Sequence, residues 1–181
     1  MKEDLLFYDA YEEFYQMTGD SKAFSEFCKE AFGEDFSQDG FSDIDQVNRI
    51  LEYIPCDNAC ILDVGCGNGA MLRYLQKKTG AHIKGFDYSE KAIAIANEYA
   101  DHHSDYTVGI IDDMEYEDES FDLIVCMDSI YFAEDMVKFV SKVKRWLKPG
   151  GVFFVAYQEG DVMPRTNNVD TTVFAKAMNS N

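Results

Sequence analysis

The stretch "ILDVGCGNGAML", residues 61–72, decides how this chain is read. An apolar run leads into three alternating glycines, Gly65, Gly67 and Gly69, and the chain then turns apolar again. A strand, a glycine turn and a helix in that order bring backbone N–H groups to a helix N-terminus, where nucleotide-like ligands are held. A triphosphate loop needs G-x4-G-K-[ST], and no Lys-Ser/Thr pair follows here. Gly65-x-Gly67-x-x-Ala70 nominally fits the dinucleotide fingerprint, so an NAD-dependent oxidoreductase is a competing reading. Asp63, two residues before the first glycine, opposes it. A carboxylate pointing toward the loop repels a pyrophosphate and suits a cationic amine, unless it merely bonds the loop amides.

Outward from the glycines, strands and helices alternate. "ACILDV", "HIKGFD", "YTVGII", "FDLIVCM" and "VFFVAY" read as five strands. Between them lie "GAMLRYLQKKTG", stopped by Gly80, and "EKAIAIANEYAD", capped by Ser89 and carrying Ile93, Ala96, Asn97 and Ala100 on one face. A third helix, "EDMVKFVSKVKRWLKPGG", puts Met136, Val137, Val140, Val143 and Leu147 on one side and closes at Pro149-Gly150-Gly151. This order predicts an α/β fold, a doubly wound, mostly parallel sheet with helices on both faces.

Residues 1–55 have another texture and predict an N-terminal helical cap. Phe7, Tyr8, Tyr11, Phe14 and Tyr15 share one helical face, and Phe24, Phe27, Cys28 and Ala31 another, ending at Gly33. After the loop "SQDGFSD", Ile44, Val47, Leu51 and Ile54 mark a third helix, stopped by Pro55. Residues 56–157 form the ligand-binding core, and 158–181 a tail holding one short helix and no strand.

The 181 residues suit one ordinary domain, and their 46% apolar content excludes global disorder. Sixteen Lys and Arg against 34 Asp and Glu give a net charge of -18, which repels phosphate backbones and anionic lipid. No nucleic-acid or membrane partner is expected. The five cysteines and three scattered histidines lack metal-ligand spacing, so no metal is expected either. The N-terminus is too acidic for a signal or transit peptide, and no apolar run approaches membrane length, which predicts a cytoplasmic protein.

Asp87 ends the second strand, 24 residues after Asp63. There it can accept both hydroxyls of a ribose, or simply sit as an acid ahead of the helix cap Ser89. Asp112 and Asp113 follow the third strand, where a carboxylate can accept an adenine amine and Met114 can cover the ring. A ligand with an amino-acid end, a ribose and an adenine but no phosphate is S-adenosylmethionine.

"LDVGCGNG", then "GFDYS", "IIDDME", "FDLIVCMDSIYF" and "LKPGG", resembles the seven-strand (class I) S-adenosylmethionine-dependent methyltransferases, over roughly residues 45–156. The resemblance implies that Gly65, Cys66, Gly67, Asn68 and Gly69 pass along the methionine portion while Asp63 orients its amino group. Asp87 would hold the ribose beside Tyr88, and Asp112, Asp113 and Met114 would flank the adenine. Cys126 to Ser129, including Met127, would line the floor where cofactor and substrate meet. The leading helices look like the small-molecule branch of the family, in which they cap the pocket.

Methyl transfer from a sulfonium is an in-line displacement whose leaving group needs no proton, so alignment can supply about 7–11 kcal/mol of barrier lowering. A general base is needed only for a protonated nucleophile. The expected chemistry is transfer to N or O of a small molecule; a non-catalytic S-adenosylmethionine-binding module is the alternative. No catalytic dyad stands out, and Asp128 and Tyr131 are the candidates. Tyr11 and Tyr15 could close over substrate, with Asp128 and Tyr131 contacting it, or the tyrosines could be core for the first helices. A complete fold of this family adds a helix and two strands after the fifth, more than 158–181 can supply. The expectation is a truncated chain or a short variant, with apolar surface exposed along the fifth strand and hence a partner subunit, such as a second copy in a homo-oligomer, or poor solubility unless something covers it.

Overall fold

The computed structural model describes residues 5–37, 40, 42–158 and 165–180. Five parallel strands form one sheet: β1 (Cys60–Val64), β2 (His82–Asp87), β3 (Ser104–Val108), β4 (Phe121–Met127) and β5 (Leu147–Ala156), in the order β3-β2-β1-β4-β5. The order reverses between β1 and β4. Adjacent residues of one strand point to opposite faces, which the packing makes explicit. Ile61, Ile83, Leu123 and Val125 pack with one set of helices, whereas Leu62, Phe86, Ile124 and Cys126 pack with another.

The first face is covered by α3 (Ile44–Leu51), α4 (Ala70–Thr79) and α5 (Glu90–Glu98), through Val47, Ile50, Leu72, Leu75, Ile93 and Ala96. The second is covered by α6 (Met136–Trp146) and α7 (Val173–Asn179), through Phe139, Val140, Val143, Trp146 and Ala177. Fully burying such a side chain is worth about 1.5–3 kcal/mol, so these two layers hold the sheet. The cap adds α1 (Tyr8–Thr18) and α2 (Lys22–Phe32), and α1 rests against α5. Local chemistry sets the helix starts. Ser21, Asp43, Ser89 and Asp135 each accept a backbone amide of the first turn.

Several boundaries differ from the sequence expectation. β3 covers 104–108 rather than 106–111, because the amides of Asp113 and Met114 both bond back to Ile110 O and fold 109–114 into a turn. α6 stops at Trp146, and "LKPGG" lies inside β5, where a register irregularity opposite Phe121 and Leu123 absorbs the Pro-Gly pair. Within α6 the buried stripe runs through Met136, Phe139, Val140, Val143 and Trp146, leaving Val137 exposed. On α2, Phe27 and Ala31 are also exposed and Cys28 is the buried position. Phe7 precedes α1 in a left-handed conformation.

The fifth strand is not bare. Phe174 of α7 packs edge-on against Phe153 and Tyr157, at 6.0 and 5.9 Å between ring centroids, while Tyr53 meets Phe154 on the opposite face. The tail thus covers apolar surface that its lack of strands had suggested would be exposed. Of the expected loop ahead of α3, Gln38, Asp39 and Phe41 lie outside the described residues, as do 159–164 of the tail. Among the described residues no helix is long and apolar enough to cross a membrane.

Candidate functional site

A cavity of about 330 Å³ opens where the strand order reverses, at the carboxyl ends of β1 and β4. Its floor is the turn after β1. Gly65 takes φ +73°, and a Cβ there would come within 2.5 Å of Ser129, which follows β4. Ser129 in turn donates from Oγ to Val64 O, tying the two strand ends together. Gly67 takes φ +53° and lies against the Tyr15 hydroxyl, so α1 closes directly onto the loop.

Five amides of the loop and helix start are spent internally. Gly65 N and Cys66 N both donate to Phe86 O, at 2.9 and 3.0 Å. Gly67 N donates to Asp87 Oδ2 at 2.9 Å, Gly69 N to Cys66 O at 3.0 Å, and Ala70 N to Asn68 Oδ1 at 3.0 Å. An anion cradle needs free N–H groups at a helix N-terminus, and these five already have partners. With those five engaged, fewer donors remain for a pyrophosphate, and the buried Asp63 carboxyl beside them weighs further against the NAD reading.

Two carboxylates face the cavity from β1 and β2. Asp63 is 2% exposed, and its Oδ1 has no hydrogen-bond partner among the described residues. Burial, followed by the charge of Asp87, pushes its carboxyl up to about 8. Asp87 uses Oδ1 to accept Ser89 N at 2.9 Å and Oδ2 to accept Gly67 N. Burial raises its carboxyl too, opposed chiefly by those two amides. An unpartnered buried acceptor is costly, so Asp63 is shaped for a donor that arrives with a ligand.

The structure brings most of the sequence candidates together. Asp63, Gly65, Cys66, Gly67, Asn68 and Asp87 line the cavity, and Tyr88, Met127, Asp128, Tyr11, Tyr15 and Tyr131 complete the same wall. Gly69 instead begins α4, facing Tyr106, and Cys126 is fully buried below Ser129. Asp112, Asp113 and Met114 do not reach the cavity. Asp112 Oδ2 accepts Glu134 N at 2.8 Å, Asp113 is exposed, and Met114 packs into the core beneath Gly109. Because β3 ends early, Gly109, Ile110 and Ile111 form that wall instead.

Sequence reasoning missed three contributors. Phe132 completes an aromatic cluster, 6.1 Å from Tyr11 and 5.6 Å from Tyr88 by ring centroid. Glu12 fastens α1 to the core by accepting from Ser89 Oγ at 2.6 Å and Lys91 N at 3.2 Å. Glu134 stands at the exposed end of the wall. Glu12 and Ser89 are 77 positions apart, and no local pattern links them.

The sheet, its flanking helices and the cavity at the switch point define a Rossmann-like methyltransferase fold. The methyltransferase-domain family model matches residues 62–155, and the chain belongs to that family. A sterol 24-C-methyltransferase of Gibberella zeae is 32% identical over 139 residues, covering 71% of this chain and 35% of that protein. A ubiquinone biosynthesis O-methyltransferase of Mesorhizobium japonicum is 33% identical over 105 residues, covering 56% and 42%. The structure of Haemonchus contortus phosphoethanolamine N-methyltransferase 2 in complex with S-adenosyl-L-methionine superposes with a TM-score of 0.62 at 26% identity, covering 80% of this chain and 35% of that one. The chain spans about a third to a half of the length of the curated relatives it matches.

Proposed function

We propose that this chain binds S-adenosylmethionine in the switch-point cavity and transfers its methyl group to N or O of a small molecule. The observation that carries this is Asp63 Oδ1, buried without a partner among the described residues beside a glycine loop most of whose amides are already used. The site wants an ammonium and has little to offer a phosphate.

In this reading Asp63 holds the amino group of the methionine portion, and the backbone of 65–68 passes alongside it. Asp87 has one lone pair on each oxygen left for ribose hydroxyls after serving Gly67 and Ser89. Gly109, Ile110 and Ile111 take the place assigned from sequence to Asp112, Asp113 and Met114. When bound, the cofactor supplies a methyl group activated by its sulfonium charge. The chain's own contribution is to orient, to exclude water and to surround positive charge with aromatic faces and carboxylates. Tyr11 and Tyr15 close the cavity from the cap side, Tyr11 against Phe132 of the core, with Asp128 and Tyr131 facing the acceptor.

The same reading divides the chain into a cap (1–55), a binding core (56–157) and a covering tail (158–181). It places the protein in the cytoplasm, on its acidity and its lack of membrane-length apolar runs, and leaves self-association to sedimentation. Calorimetric titration with S-adenosylmethionine, S-adenosylhomocysteine and NAD tests the cofactor. Binding of NAD with neither sulfur ligand would sink the proposal. Binding of the sulfur ligands without methyl transfer to a broad amine and phenol panel would favour a non-catalytic binding module.

A further inference from the structure

The cavity wall is one-sided in its ionisable groups. Asp63, Asp87, Asp128 and Glu134 line it, and no Lys, Arg or His does so among the described residues. Two cations that hold the site's loops from behind already have partners. Arg73 donates to Asn68 O at 2.6 Å with its guanidinium over Tyr99, and Lys142 donates to Asp112 O at 2.6 Å and Met114 O at 3.0 Å. A phosphate or carboxylate on the acceptor would enter among four acids with no counter-ion.

The acids sit in different places. Asp63 and Asp87 end β1 and β2, where the methionine and ribose portions are assigned. Asp128 follows β4, on the side where the proposed reading leaves room for the acceptor. It is held in a left-handed conformation, φ 54°, with its amide donating to Ala156 O at 2.7 Å. Asp is among the residue types that take that region readily, so the turn after β4 holds this backbone without strain. The same cavity is lined by Tyr11, Tyr88, Tyr131 and Phe132, whose rings pack on one another, Tyr131 lying 5.0 Å from Phe132. Aromatic faces and a half-buried carboxylate together recognise an ammonium group. Exposed Glu134 and the overall charge of -18 raise the local concentration of cations at the mouth.

Resting on the proposed methyl-transfer reading, we propose that the acceptor is a small apolar amine, held as its ammonium ion by Asp128 among the cavity's aromatic rings, and that anionic acceptors are rejected. Asp128 then takes one proton from the ammonium, which leaves the nitrogen lone pair available, and passes that proton to water after product leaves.

The test titrates the chain, with and without saturating S-adenosylhomocysteine, with four probes: 2-phenylethylamine, 2-phenylethanol, 3-phenylpropanoate and 2-phenylethyl phosphate. The amine should bind at least about tenfold more tightly than the alcohol, as one charge-assisted hydrogen bond implies, with the two anions weaker still. Asp128→Asn keeps a residue type at home in left-handed backbone and should bring the amine down to the alcohol. Glu134→Gln, at the exposed rim, should lower amine affinity by a smaller factor. Equal binding of amine and alcohol, a preference for either anion, or unchanged amine affinity in Asp128→Asn overturns the assignment. Titration with S-adenosylmethionine alone separates the two levels. Its failure removes the methyl-transfer reading, while the amine-to-alcohol ratio of the ligand-free chain still decides the ammonium site.

Discussion

Asp87 Oδ2 accepts the backbone amide of Gly67 at 2.9 Å, so the acid that ends β2 also shapes the glycine turn that follows β1. A residue assigned to the ribose is therefore part of the loop that receives the methionine portion.

Asp87→Ala should accordingly weaken S-adenosylmethionine by more than its own ligand contacts suggest. Losing charge-assisted bonds worth about 1.5–3 kcal/mol each predicts at least tenfold weaker binding by calorimetry, together with a lower melting temperature. Asp87→Asn, which keeps one acceptor oxygen, should fall between. Unchanged affinity in the alanine variant would refute both roles.

Asp63 makes stability depend on pH in a defined direction. Its carboxyl is pushed up to about 8 in the folded chain, so the folded state holds a proton that the unfolded state loses in the ordinary carboxylate range. The associated stability is fully present below that range and is lost as pH rises through about 8. Asp87 shifts the same way. Melting of the ligand-free chain should thus move to lower temperature between pH 4 and 8, and Asp63→Asn should flatten part of that slope while weakening S-adenosylmethionine at least tenfold. A wild-type profile that rises over this interval would contradict the assignment.

Gly67→Ala meets two obstacles, a positive φ and the Tyr15 hydroxyl. The backbone alone costs about 1–3 kcal/mol, and cap closure over the loop is disturbed as well. Tyr15→Phe in the same chain should restore the steric part but not the backbone part. Chemical denaturation of the two single variants and the double variant measures the split. Additive losses would show that α1 does not press on the loop.

Lys142 is 8% exposed and holds the turn behind the cavity through Asp112 O and Met114 O, besides Glu115 Oε1 at 3.0 Å. Lys142→Met strips these carbonyls of a charged donor and should lower unfolding free energy by about 2–3 kcal/mol in urea, with m unchanged. Cofactor affinity should fall too, because Gly109 to Ile111 hang from that turn. A variant with wild-type stability would show the carbonyls to be satisfied by water.

The sequence by itself determined the α/β order, both strand-end acids and the glycine turn. Period-two and period-3.6 patterning and the cap at Ser89 are local, and they act within one element. It did not determine where β3 and β5 begin and end, since those limits come from a neighbouring strand and a turn. Nor did it show that Asp112 turns to Glu134, that α7 covers β5, or that Glu12 and Tyr15 bring the cap onto the loop. Only the tertiary structure decided these, because each joins residues tens of positions apart. The same is true of the cavity's charge. Asp63 in isolation is an ordinary acid. Burial beside Asp87, with no cation in reach among the described residues, is what leaves it waiting for a ligand's donor.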